Sequence, residues 1–175
     1  IEEAWTEPFS VLFLALTVPA FAQRGPRAGN GATDPAAPVT VLPLSSEEVQ
    51  WLVYMREEEK LARDVYLKLS KTWQLRVFDN IAASEQRHFN AIGILLERFG
   101  LQDPALEGEG RFSTDEFADL YDALILQGER SVNEALKAGI TIEEMDIADL
   151  EKALATATHR DIARVYNNLL DGSES

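Results

Sequence analysis

The sequence predicts an all-α fold: a four-helix bundle with a long crossover, carrying a short extra helix, between the second and third long helices. Three observations lead there. From Leu44 onward apolar residues recur at helical spacing, and no segment shows sustained period-two alternation between turn signals. Gly, Pro, Ser and Thr punctuate this region at helix-length intervals. One connector, "LQDPALEGEGRFST", is too long and too rich in breakers for a tight turn between neighbouring helices.

The elements follow in order. In "LSSEEV", Ser45 or Ser46 can cap a helix, with a Glu at capping-box spacing. That first helix is expected over 46–73, and a second over 77–99, stopped by Gly100. After the connector, "TDEFADLYDALILQ" forms the short helix, ending at Gly128. A long helix is expected over 131–157, and Thr158 is placed to cap a last one, "HRDIARVYNNLL". Four long helices with one extended crossover form a known bundle connectivity.

The 175 residues suffice for one domain with its own core, expected over 45–175, plus an N-terminal tail. Before it, "QRGPRAGNGATDPAAPVTVLP" is Gly-, Pro- and Ala-rich without periodicity, so 23–44 is expected to be a disordered linker. The stretch "FSVLFLALTVPAFAQ" combines an apolar run, too short to span a bilayer comfortably, with the small-x-small pattern Ala20-Phe21-Ala22. That pattern marks 1–22 as a signal peptide, although the preceding "IEEAWTEP" is acidic where a basic segment is usual. Export to the periplasm or the extracellular space is expected, with no membrane span in the mature chain.

A net charge of −14 argues against a nucleic-acid partner, whose phosphates require a basic surface, and is compatible with attraction of cations. With no cysteine, thiolate metal sites and cysteine nucleophiles are excluded.

The apolar stripes carry the functional signal. On the second helix the stripe is Phe78, Ile81, Glu85, His88, Ile92, Leu95 and Phe99; its two polar members are neighbours at i and i+3 and can point at one object. On the first helix it is Leu52, Met55, Glu59, Ala62, Tyr66, Leu69 and Trp73, with one acid beside a small residue. A neighbouring register would turn Glu58 inward instead; Glu59 is preferred, because its stripe also explains Tyr66 and Trp73. On the long later helix Glu143 lies on the face, Asp146 near it, and Glu144 to one side. Acids on three core faces would each cost several kcal/mol unless neutralised. Protonation, Arg partners or a metal could do this, and carboxylates with an imidazole suit iron or manganese.

Each feature alone has an ordinary explanation. Glu-x-x-His is common on helices. The charge runs "REEEK" (56–60) and "IEEMD" are by default solvated faces, the first pairing at i,i+4 with Lys60 and Arg63. His159, at a helix start, is expected to face solvent. The coincidence of register on three helices favours a metal site.

At "YMREEEKLARDVY", "SEQRHF" and "IEEMDIADLE" the sequence resembles the ferritin-like superfamily, and within it the prokaryotic domain of unknown function family 2202. The resemblance runs from Leu44 to the C-terminus. It implies a ferritin-like four-helix bundle and a dinuclear metal centre. Glu59 followed by Tyr66 is similar to the first-helix Glu-x6-Tyr of such proteins, Glu85 and His88 to the second-helix Glu-x-x-His, and Glu143 or Glu144 to the third-helix ligand. The last helix departs from the pattern, because Ser173 stands where a Glu would be and Glu174 is one step off.

The ligand set expected on this basis is Glu59, Glu85, His88, Glu143 or Glu144, and Glu58 as the alternative to Glu59. Tyr66 would hydrogen-bond a ligand carboxylate, and Arg63 would orient an acid or balance charge. Iron or manganese ions are the expected cofactor, dioxygen or peroxide the co-reactant, and a homo-oligomer an open outcome. Three functions compete: an iron-dependent oxidoreductase or ferroxidase-like protein; an exported non-catalytic metal binder; and a structural helical interaction module whose inward acids pair with Arg56, Arg63 or Arg87.

Overall fold

The structure is a computed structural model that describes residues 43–173. The signal peptide expected over 1–22, the linker apart from Pro43 and Leu44, and Glu174 lie outside the described residues.

Five helices and no strand make up the described residues: α1 (Ser46–Trp73), α2 (Arg76–Phe99), α3 (Asp115–Gly128), α4 (Val132–Thr156) and α5 (Arg160–Ser173). Ser45 caps α1 through a complete capping box, its hydroxyl accepting from Glu48 N at 3.1 Å while Glu48 Oε2 accepts from Ser45 N at 3.0 Å. The α1–α2 turn is tight because Gln74 adopts a left-handed conformation, with φ 53°. Gly100 ends α2 in the same region, at φ 67°. Thr114 and Ser131 cap α3 and α4.

Four helices close a ring. α1 packs on α2 and α4, and α5 packs on α4 and α2, while α3 lies against α1 and α4. Two apolar clusters fill it. One joins Leu61, Val65, Tyr66, Leu69 and Phe78 with Ala138 and Ile142; the other joins Leu52, Met55, Ile92 and Leu96 with Leu150, Ile162 and Tyr166. The polar residues discussed below lie between them along α1.

The charge run at 56–60 is not a solvated face: Arg56, Glu57, Glu58, Glu59 and Lys60 are all buried. The crossover accounts for three of them. Arg56 binds Asp103 at 2.6 Å, Lys60 donates to the Gly108 carbonyl at 2.8 Å and pairs with Asp64, and Glu57 accepts from Ser113 N at 3.0 Å. Asp64 also accepts from Gly110 N at 3.0 Å. The crossover's own N–H and C=O groups need partners, and the outer face of α1 supplies them.

His159 also differs from expectation. Its side chain is mostly covered, and Glu48 Oε1 accepts from His159 Nδ1 at 2.8 Å, His159 N at 3.0 Å and Thr158 N at 2.8 Å. The N-terminus of α5 is thus satisfied from α1 rather than by its own flanking residue, because the open N–H groups there attract a carboxylate.

Candidate metal centre

At mid-length of the bundle α1 and α2 bring Glu59, Glu85 and His88 together. One donor atom from each lies within 4.8 Å of the others, and all three residues are buried. His88 Nδ1 is 3.0 Å from Glu85 Oε2, as the i,i+3 spacing on α2 dictates, and 3.5 Å from Glu59 Oε2, an ion-pair distance too long for a strong hydrogen bond. The far side of the ring meets α5 at Gly172, where an added Cβ would come within 2.7 Å of His88 Nε2. A side chain at that position would have to push the imidazole aside.

From α4, Glu143 faces inward and accepts a hydrogen bond from the Tyr66 hydroxyl at 2.7 Å. Gly139, one turn before Glu143, makes room for that tyrosine: a Cβ there would sit 2.9 Å from its hydroxyl oxygen. Asp146 is buried on the next turn, with Oδ2 accepting from Ser173 Oγ of α5 at 2.7 Å. Ser173, read as a missing ligand, therefore orients an acid of α4.

Of the alternatives left open, Glu143 is the inward acid and Glu144 is exposed, whereas Glu58 and Glu59 are both buried. Arg63 is not at the cluster. Its guanidinium binds Asp64 at 2.7 Å and Gln86 at 3.2 Å, on the flank of α1 that faces the crossover and α2. Asp146 lay on the predicted stripe and its burial makes it part of the site; the stripe is wide enough to hold two acids one turn apart, so spacing alone ranked it behind Glu143.

The electrostatics reflect crowding of like charge in a dry place. Burial drives Glu59 well above the ordinary carboxylate range, opposed by the His88 imidazole and reinforced by Asp146. Burial also raises Glu143 to about 7, against the Tyr66 hydrogen bond and with help from Glu85. Asp146 rises to about 6, again chiefly from burial, with the Ser173 hydroxyl opposing. Burial would lower His88, but Glu59 and Glu85 beside it reverse this and hold it at about 10.

Two observations bear on what could neutralise the site. Neither oxygen of Glu59 has a hydrogen-bond partner, and the arginines that might have paired with the acids are engaged elsewhere, Arg56 on Asp103, Arg63 on Asp64 and Arg87 on Ser84. A buried carboxylate with no donor, beside an imidazole and a second carboxylate, fits a divalent cation. A cleft of about 510 Å³ between α2 and α4 reaches Glu85, Glu143, Tyr66 and Ser173 from outside, walled mainly by Phe78, Ile81, Leu136 and Ile140.

The fold and about half of the aligned sequence recur in a known protein. The chain is 49% identical over 134 residues to the uncharacterized protein MJ0754 of Methanocaldococcus jannaschii, covering 76% of this chain and 72% of that one. The crystal structure of the hypothetical protein MJ0754 from Methanococcus jannaschii superposes with a TM-score of 0.75 at 48% identity, over 78% of this chain and 79% of that one. The family described as an uncharacterized protein domain, DUF2202, matches residues 48–175. With its buried carboxylate and histidine cluster inside the matched region, this chain belongs to the DUF2202 family.

Proposed function

We propose that the protein is a ferritin-like metal protein, exported in its native host, that holds iron or manganese ions as a dinuclear centre in the bundle core and uses them in an iron-dependent oxidoreductase or ferroxidase-like reaction. The observation that carries this reading is the unpartnered, fully buried carboxylate of Glu59 facing Glu85 and His88. Glu59, Glu85 and His88 would hold an ion, with Glu143 the acid contributed by α4. Such an ion supplies one-electron chemistry and a Lewis-acid seat for dioxygen or peroxide.

The chain's own residues do the rest. His88 must lose its Nδ1 proton to become a ligand, and Glu85 beside it fixes the ring. Tyr66 and Ser173 each hold one oxygen of Glu143 and Asp146, which leaves the other oxygens of these acids to turn towards the centre. Without metal Glu143, raised to about 7, holds a proton near neutrality at the floor of the cleft, and it would release that proton on taking its place at the ion. The apolar cleft walls limit water there.

Elemental analysis of protein purified without chelator tests the metal, and an aerobic ferrous-oxidation assay tests turnover. Iron or manganese at stoichiometric levels with repeated oxidation is expected. Stoichiometric uptake without turnover reduces the protein to a metal binder. Absence of metal from protein reconstituted with ferrous or manganous ion overturns the reading.

A further inference from the structure

The cleft between α2 and α4 has walls of one chemistry and a floor of another. Among the described residues α2 and α4 do not pack on each other, which leaves the gap between them open. On α2 the lining runs Phe78, Ile81, Glu85, and on α4 it runs Leu136, Ile140, Glu143, each at helical spacing. Each wall thus begins apolar and ends in an acid of the candidate centre. Leu136 and Ile140 are 44% and 57% exposed, an exposure that water penalises and a bound apolar body would relieve.

Two glycines line the inner end, Gly139 of α4 and Gly172 of α5. An added Cβ would stand 2.9 Å from the Tyr66 hydroxyl oxygen at the first and 2.7 Å from His88 Nε2 at the second. At these positions, therefore, neither helix lays a side chain over the site. A molecule seated between the walls would have Tyr66, Glu85 and Glu143 at its inner end, in a volume of about 510 Å³ that suits a small-molecule site. The chain's second cleft, about 530 Å³ between α2 and the crossover, is lined by Arg56 already paired with Asp103 and reaches no acid of the centre.

Charge decides what the first cleft can take. Glu85 and Glu143 at its floor repel an anion, and the apolar walls offer a hydrated cation nothing in exchange for its water. The rim carries one charge of each sign, Arg87 and Glu144, and so selects neither. We infer that this cleft binds a small, uncharged and largely apolar organic molecule, aromatic or branched aliphatic, with its inner end against Tyr66 and Glu143. This rests on the proposed metal function, names the class of molecule that lies beside the centre, and favours an organic ligand over ferrous ion as the occupant of the cleft.

The test is fluorescence titration of the full chain with phenylnaphthylamine, an uncharged aromatic probe, and with anilinonaphthalene sulfonate, its anionic counterpart. The wild type is expected to bind the uncharged probe and to bind the sulfonate roughly tenfold more weakly or less. Leu136→Asp and Ile140→Asp, folded by circular dichroism, should each weaken the uncharged probe roughly tenfold. Ile94→Asp, in the second cleft and 65% exposed in the wild type, should leave it unchanged. No binding, equal binding of the two probes, or an affinity indifferent to Leu136→Asp and Ile140→Asp would overturn the assignment. Mn²⁺ separates this proposal from the one it rests on, because a paramagnetic ion at Glu59, Glu85 and His88 should broaden the proton resonances of the bound probe. Mn²⁺ taken up without broadening overturns the cleft assignment alone. Probe bound as expected without Mn²⁺ uptake supports the cleft and overturns the metal function.

Discussion

Glu48 and Glu59 lie on the same helix, α1, both almost fully buried, and end in opposite electrostatic states. Glu48 receives hydrogen bonds from Ser45 N, Thr158 N and Oγ1, and His159 N and Nδ1. Burial would raise its pKa, but His159, Ser45 and Thr158 outweigh that and bring it down to about 2. Glu59 receives none, and burial drives it up. Loss of solvent therefore does not decide the charge of a carboxylate; the supply of donors does. One end of α1 uses its acid to join helices, whereas the middle holds acids that the protein alone leaves unsatisfied.

This contrast can be broken most forcefully at the centre. Replacing Glu85 and His88 together by Ala is expected to abolish tight metal binding, measured by elemental analysis, with helicity by circular dichroism largely kept. Unchanged metal content in that variant would remove the site from consideration.

At the other end, Glu48→Ala leaves the α1 cap and the α5 N–H groups without their acceptor. A loss of roughly 2–4 kcal/mol in urea unfolding is expected, from a lost cap together with buried donors left unpaired. A smaller effect is expected from Glu59→Gln: burial already drives Glu59 towards its protonated form, so the metal-free protein should change by no more than about 1 kcal/mol, while metal no longer stabilises it. A clearly larger loss in the metal-free variant would mean that the 3.5 Å approach of Glu59 to His88 holds the bundle together without metal.

The pH dependence of unfolding sharpens the comparison further. Glu48 has a folded pKa of about 2 against an ordinary 4.5, so its contribution is complete above pH 4.5 and fades as pH falls towards 2. Discounted for its place at the bundle's end, this is on the order of 1–2 kcal/mol. Glu143 and Asp146 act oppositely. Their folded pKa values of about 7 and about 6 exceed the ordinary 4.5 and 3.8, so metal-free protein loses stability as pH rises from about 4 to about 7. His88 adds the same sign, its contribution complete below about 6.5 and lost as pH climbs through about 10. A metal-free protein whose stability rises steadily from pH 4 to 7 would contradict the raised values.

Much of this was legible in the sequence for identifiable reasons. The range of α1, Ser46–Trp73, agrees with the expectation, because a capping box opens the helix and its stripe, interrupted only by Glu59, continues to Trp73. The ends of α2 and α3 fell at Phe99 and Gly128 as expected, and the remaining helix ends moved by one to three residues, α5 extending to Ser173 beyond the expected "HRDIARVYNNLL". Glu59, Glu85 and His88 stood out since each interrupts an otherwise apolar row. The burial of Arg56, Glu57 and Lys60 was hidden, because it depends on where a connector without periodicity folds back. Asp146 and His159 were under-read for a related reason: spacing locates a residue on a helix, but the acceptor or donor that meets it comes from elsewhere in the chain.

The lacing of the crossover onto α1 has a consequence for how the interior can adapt. Arg56, Glu57, Lys60 and Asp64 tie one flank of α1 to residues 103–113, while Glu48 ties its beginning to the start of α5. A helix fastened on its outer flank and at one end cannot roll about its axis. Any change in what occupies the core, in radius or in charge, is therefore absorbed on the opposite wall, by rotamers of α4 and by the last turn of α5, where a glycine and a single hydroxyl are all that meet His88 and Asp146. α1 is the wall of the bundle that the crossover and the start of α5 hold in register, and the side chains of α4 and the tip of α5 are the ones left to adjust to it.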